Sequence, residues 1–269
     1  MTAIAAWVGV DARSAASVYL ASDSRISWSN GDHWDFGRKL FASRRHPELL
    51  GYCGDVEFPS LLLGQIVDLI DSDAFFTPHE DPRAKFQRIA NMLRAALQTY
   101  PKQEQRTFSI LYCTRAGVGM AASFHLATLS WSKGVWAHGW VSMPQRSDLL
   151  VTLGSGAAQL RSTYEAWSQA QGERTSRSVF SAFCDSLGAA KDPTVGGAPQ
   201  LVGLYRKGSA EHFGVIDHGN RFLLGLPVEA SPTLDAVEWR NELFERCDWR
   251  TTVRLARAQP HARPKGTKG

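Results

Sequence analysis

Apolar residues recur along this chain in two rhythms, one of period two and one of period 3.6, and the rhythm switches repeatedly. Short runs rich in Ala, Val, Ile and Tyr occupy residues 3–10 and 17–22, parted by Asp11, Ala12, Arg13 and Ser14, so a hairpin is expected at the outset. Asn30 and Gly31 favour a second tight turn, and extended character resumes at residues 39–41 and runs to Leu49, Leu50, Gly51 and Tyr52. Over residues 58–70 the period changes: Leu61, Leu62, Gln65, Ile66 and Leu69 recur at helical intervals. A second helix is expected over 82–100, where Pro82 suits the first turn ahead of Phe86, Ile89, Ala90, Leu93 and Leu97. Strand patterns return at 107–114, 119–129, 134–142 and 149–153. Helical periods follow at 157–171 and, behind the capping candidates Thr175 and Ser176, at 178–190. Strands at 200–206, 212–216 and 221–224 close the body.

Strands clustered apart from helix pairs argue an α+β protein with antiparallel sheets. The expected architecture is a four-layer αββα sandwich, two antiparallel sheets packed face to face and each covered by a helix pair. Residues 1–226 would form this domain. Residues 227–269 would form a C-terminal extension with a helix at 234–244 and a basic, disordered tail.

Composition narrows the function classes. A chain of 269 residues is long enough for a full core. It has no apolar run of about eighteen residues and no basic stretch ahead of its first apolar segment, so neither a membrane span nor a secretory signal is expected, and a cytoplasmic location is. Cys53, Cys113, Cys184 and Cys247 are scattered without a CxxC pair, which predicts reduced, buried thiols in place of a zinc knuckle or disulfide framework. The 8 histidines show neither HExxH nor paired metal spacing. The net charge of +4 arises from six basic residues after position 249 with no acidic partner, which leaves the body near neutral. No basic face interleaved with aromatics exists, so nucleic acid is not an expected partner. Trp131, Trp136 and Trp140 read as strand packing or a subunit contact.

Thr2 carries the most suggestive chemistry. Removal of Met1 would leave a hydroxyl and a free α-amine on one residue, a nucleophile with its own base. Such an amine titrates near pH 8 in model peptides. Downstream come Ala21-Ser22-Asp23-Ser24-Arg25, then Arg38-Lys39-Leu40-Phe41, then Gly51-Tyr52-Cys53-Gly54-Asp55, and later Leu153-Gly154-Ser155-Gly156 and Asp192. Singly, these are most simply a turn, a surface lysine and a strand-to-helix connection.

Jointly, in this order, the segments resemble the proteasome β-subunit family and its bacterial HslV-like and Anbu-like relatives, over roughly residues 2–226. Lys39 follows Asp23 by 16 residues and Asp192 follows Ser155 by 37, and both intervals agree with the family. The Thr2–Asp23 interval is about five residues longer, and the insertion is expected in the first hairpin loop around residues 11–17, where lengthening costs little. The resemblance implies an N-terminal-nucleophile hydrolase cleaving peptide or amide bonds, with no cofactor, and assembled as a homo-oligomeric ring or stacked ring; any ATPase or regulator is left open. Thr2 would attack a carbonyl, Lys39 would lower the nucleophile's pKa, and Asp23 would hold Lys39 charged. Backbone N–H groups of a turn from Gly51 to Gly54, above all that of Gly54, would form an oxyanion hole. Ser155 and Asp192 would orient the α-amine. One departure is Val195, where the family places a serine three residues after the late Asp; Thr194 could stand in. Two other readings share the fold: a catalytically silent structural subunit, and an amidase or acyltransferase acting on small molecules.

Overall fold

Alternation along the first strand decides what each residue touches. In β1 (Ile4–Val10), Ile4, Ala6 and Val8 face one apolar cluster while Ala5 and Trp7 face another, so the strand is covered on both sides. This computed structural model describes residues 2–77, 79–171 and 174–264. β2 (Ala15–Ser22) returns antiparallel, with Ile4 opposite Ser22 and Val8 opposite Val18. A small hairpin of β3 (Ile26–Ser27) and β4 (His33–Trp34) then wraps the turn at Asn30-Gly31. β5 (Leu40–Ala42) and β6 (Glu48–Gly54) open the second sheet.

The helices fall where the periods change. α1 (Glu57–Asp71) is followed by α2 (Pro82–Thr99), whose Asp81 cap accepts from the N–H groups of Arg83 and Ala84. β7 (Phe108–Ala116), β8 (Ser123–Ser132) and β9 (Val135–Val141) complete the second sheet in the order β5-β6-β7-β8-β9. Residues 119–121, expected as strand, form a 3-10 turn instead. β10 (Asp148–Leu153) pairs with β1, and α3 (Ala157–Gln171) and α4 (Ser176–Gly188, capped by Thr175) follow. β11 (Gln200–Tyr205), β12 (Glu211–Asp217), β13 (Asn220–Leu223) and β14 (Leu226–Pro227) extend the first sheet to the order β10-β1-β2-β11-β12-β13-β14.

Three apolar layers separate four structural ones. Ile4, Val18, Leu20 and Val202 from the first sheet meet Leu40, Leu111 and Leu126 from the second. α1 and α2 cover the far face of the second sheet, where Trp131 and Trp136 pack on Phe108 and Trp140 packs on Phe86, so this tryptophan cluster is strand packing. α3 and α4 cover the far face of the first sheet over Trp7, which stacks on Tyr19 at 5.2 Å and meets Phe180. Burying one such indole removes some 150–250 Å² from water, about 4–6 kcal/mol of transfer free energy, which fixes β1 and the residue ahead of it. The αββα sandwich is the observed fold. All four cysteines are free and buried, and among the described residues no helix is long and apolar enough to cross a membrane.

Three expectations are corrected. The first hairpin loop spans residues 11–14 and not 11–17: Ala15 to Ser17 already belong to β2, with a bulge in the ladder at Gly9/Val10. Residues 234–244 are not a helix. A 3-10 turn (Pro232–Ala236) leads into β15 (Trp239–Asn241), which pairs parallel with Gly214 to Ile216 of β12 and antiparallel with β16 (Arg246–Cys247). The reason lies in β12: β11 pairs only with residues 211–213, which leaves the next backbone groups for β15 to satisfy. Trp239 then lies flat on Gly214, where any Cβ would come within 2.3 Å of its ring. The segment after Arg250 is not a free tail as far as Pro264, because Arg177 bonds Gln259, the His261 N–H donates to Glu245 at 2.7 Å and Arg263 pairs with Asp185 at 3.0 Å. The remaining five residues lie outside the described ones, and the expected boundary after residue 226 falls inside β14.

Candidate active site

Thr2 sits two residues before β1, and the backbone around it is held from both sides. Ala3 donates its N–H to Asp23 Oδ1 at 3.0 Å and accepts from the Asp23 N–H at 3.1 Å, so the end of β2 locks onto the start of β1. From the β10 side, the Gly156 N–H donates to the Thr2 carbonyl at 3.3 Å. Gly154 allows that approach: its φ is +88°, and a Cβ there would stand 1.9 Å from the Thr2 oxygen. Thr2 has no exposed surface.

Asp23 and Lys39 form an ion pair with both side chains at 0% exposure and Nζ–Oδ1 at 2.8 Å. Asp23 lies just past β2 and Lys39 just before β5, so the pair spans the two sheets. Burial pushes the Asp23 carboxyl up and the Lys39 ammonium down, and each is the chief opposing influence on the other. The Gly196 N–H also donates to Asp23 Oδ2, at 3.2 Å. A lysine buried here without its carboxylate would shed its proton. Cys53 lies within reach of the same charges, and burial pushes its thiol up to about 11.

Ser155 and Asp192 meet through Thr194. The Thr194 hydroxyl donates to Asp192 Oδ1 at 2.5 Å, its N–H does so at 2.9 Å, and Ser155 Oγ lies 3.3 Å from the Thr194 hydroxyl. Partial burial pushes Asp192 up, but the bonds from Ser155 and Thr194 outweigh it and hold the carboxyl below its ordinary range. Val195 is buried in the apolar cluster with Ala3 and faces Gly156, so it packs beneath the site while the neighbouring hydroxyl serves the carboxylate. Short links join this group to the buried pair: Gly156 follows Ser155 and reaches Thr2, and Gly196 follows Val195 and reaches Asp23.

The two oxyanion candidates separate. No turn runs from Gly51 to Gly54, because β6 continues straight to Gly54. Gly51 pairs with Leu40 and Leu111, and a Cβ would meet Leu40 at 2.8 Å and Ile4 at 2.9 Å, so it is a packing position between the sheets. Gly54 ends the strand at φ +97°, close to the Thr107 carbonyl.

Three further side chains hold the site together: Arg25, which the motif contains without a role, and Asp35 and Gln200, which the sequence did not point to. Arg25 grips Asp35 through two bonds at 2.7 and 2.8 Å and donates to the Pro193 carbonyl at 3.0 Å, with its guanidinium against Gly196. Gln200 bonds the backbone around both Asp23 and Lys39. The available signal for Gln200 was a polar residue heading a strand that is otherwise apolar on both faces; Asp35 gave none. Among the described residues, no group of three or more His, Cys, Asp or Glu could hold a metal ion.

The sequence matches no protein-family model and no curated protein. Among solved structures, the chain is similar to BPH of Thiobacillus denitrificans, a bacterial proteasome homologue, in complex with epoxomicin: the TM-score is 0.50 at 16% identity, over 77% of this chain and 100% of that one. The fold is that of a proteasome-like N-terminal-nucleophile hydrolase. Eukaryotic HslV from Trypanosoma brucei (15% identity, 75% of this chain, 99% of that one) and a further T. denitrificans BPH structure (15%, 77% and 99%) each superpose with a TM-score of 0.47. The likeness is one of fold, and the chemistry rests on the residues described above.

Proposed function

We propose that this chain is an N-terminal-threonine hydrolase that cleaves peptide or amide bonds through an acyl-enzyme on Thr2, once Met1 is removed. The observation that carries this reading is the wholly buried Lys39–Asp23 pair, hydrogen-bonded to the residue next to Thr2. Enclosing two charges costs more than replacing them with apolar groups, so a structural role alone is a poor account of them. Thr2 Oγ attacks the substrate carbonyl and its own α-amine takes the proton, directly or through water. The Lys39 charge lowers the pKa of the hydroxyl and favours the unprotonated amine, and Asp23 keeps Lys39 charged. The N–H of Gly54 steadies the oxyanion, a role worth about 3 kcal/mol per donor. Asp192, with Thr194 and Ser155, orients the amine and relays its proton. The resemblance also implies a homo-oligomeric ring or stacked ring, which native mass spectrometry would reveal.

Thr2 is fully buried, which favours the silent-subunit reading for any chain that keeps Met1. Intact mass separates the two, since retention of Met1 blocks the amine. The direct test compares Thr2→Ala with wild type for peptide and amide hydrolysis. Epoxomicin, with which the T. denitrificans protein was solved, is the first inhibitor to try. Wild type is expected to hydrolyse and to take the label while Thr2→Ala does neither; equal activity would overturn the assignment.

A further inference from the structure

We infer that Gln200 is a positioning residue that sets the spacing of the Lys39–Asp23 pair and thereby the charge on Lys39; its bearing on catalysis rests on the Thr2 reading, its effect on the pair does not. The side chain is 1% exposed at the head of β11, opposite Ser22 of β2. Its amide has two N–H donors, and both are used: one to the Asp23 carbonyl at 3.1 Å and one to the Gly37 carbonyl at 2.8 Å. Its oxygen accepts the Lys39 N–H at 3.1 Å. Among the described residues, no other side chain bonds the backbone of both members of the pair.

The placement matters because Asp23 belongs to the exit of the first sheet and Lys39 to the entrance of the second. The connection between them carries the short β3–β4 hairpin and is closed at its base by the Gly37 N–H on the Ser24 carbonyl at 2.8 Å and by Arg25 on Asp35, and Gln200 ties that closed base to the first sheet. Gln200, rooted in the first sheet, holds the Lys39 backbone at a set distance from the Asp23 backbone. Gly225, with φ +84°, closes over the amide, and a Cβ there would stand 3.3 Å from Gln200 Cδ and Nε2. The attraction that keeps Lys39 protonated falls with distance while the burial that discharges it does not. Loosening the clamp therefore lets Lys39 lose its proton at lower pH.

The test follows the titration of Lys39 by NMR in protein labelled at lysine Cε, its signal assigned through Lys39→Arg. Gln200→Met keeps length and apolar volume but makes none of the three bonds. It is expected to shift the Lys39 midpoint down by about one unit, a tenfold change in proton affinity. Val202→Ala, in the same strand and buried between the sheets, is expected to lower Tm without moving that midpoint. Should Gln200→Met not fold, Gln200→Asn keeps the amide but is a methylene too short to span both partners, and is expected to shift the midpoint the same way. If the wild type hydrolyses peptides, kcat in Gln200→Met should fall about tenfold with KM little changed, and the alkaline limb of its pH profile should move to lower pH. An unmoved Lys39 midpoint in a folded Gln200 variant, or an equal shift in Val202→Ala, would overturn the inference. A wild type with no hydrolysis would sink the Thr2 reading and leave the NMR result to decide the role of Gln200.

Discussion

Asp23, bonded to the residue after Thr2, and Asp192, bonded to Thr194 beside Ser155, live under opposite physics. Asp23 is wholly buried, pushed up by desolvation and held by one lysine and two backbone N–H groups. Asp192 is partly exposed and held below its ordinary range by a serine and a threonine beside it. The buried half of the site is built by strand registers and a cross-sheet clamp, so each part must be present at once. The outer half is built by two hydroxyls on a connection between helix and strand, where one hydroxyl can replace another. That difference explains how Val195 can occupy the family's serine position: the valine packs under Ala3 while Thr194, one residue earlier, bonds Asp192.

The contrast can be broken most severely at Lys39. Lys39→Met leaves the Asp23 charge buried without its partner and should cost about 3–5 kcal/mol of unfolding free energy in urea titrations, with hydrolysis lost altogether. Adding Asp23→Leu should restore most of that stability and none of the activity, because an apolar pair replaces an ionic one. Asp192→Asn should cost activity about 100-fold while stability stays within about 1 kcal/mol of wild type. Equal stability losses at Lys39 and Asp192 would erase the distinction between the halves. Thr194→Val should lower kcat about tenfold, and Val195→Ser should change it by less than about threefold while lowering Tm through a lost apolar contact.

The same contrast sets the pH dependence. Hydrolysis should rise as the Thr2 amine deprotonates, below its ordinary midpoint near pH 8 because Lys39 is charged. It should fall as Lys39 loses its proton, below the ordinary lysine range because burial disfavours the charge. Asp192 adds no limb in that window. Its folded pKa lies below its unfolded one, so its contribution to stability is present at neutral pH and fades only as pH drops below about 4. Lys39→Arg should abolish the alkaline limb in whatever activity it retains.

Much of this was readable before the fold was known, and the exceptions share a cause. β1, β2, α1, α2 and α3 follow from local period, because their apolar faces answer to layers present along their whole length. The family resemblance supplied Asp23, Lys39, Ser155 and Asp192 as expectations, and the structure sets Asp23 against Lys39 and gathers Ser155 and Asp192 around Thr194. β15 was unreadable because Leu234, Val237 and Phe244 fall at helical spacing, and only a half-unpaired β12 made a strand the better outcome. Gln200 was legible only as a polar residue heading an apolar strand, not as a clamp. Its partners lie more than 160 positions away, and nothing local marks a glutamine as a clamp.

The most direct measurement is peptide mapping by mass spectrometry of the purified protein before and after epoxomicin. Met1 should be absent from the N-terminal peptide and the inhibitor mass should appear on Thr2, and on no residue of Thr2→Ala. A chain that retains Met1, or an adduct that persists in Thr2→Ala, would contradict the central claim that Thr2 is the nucleophile.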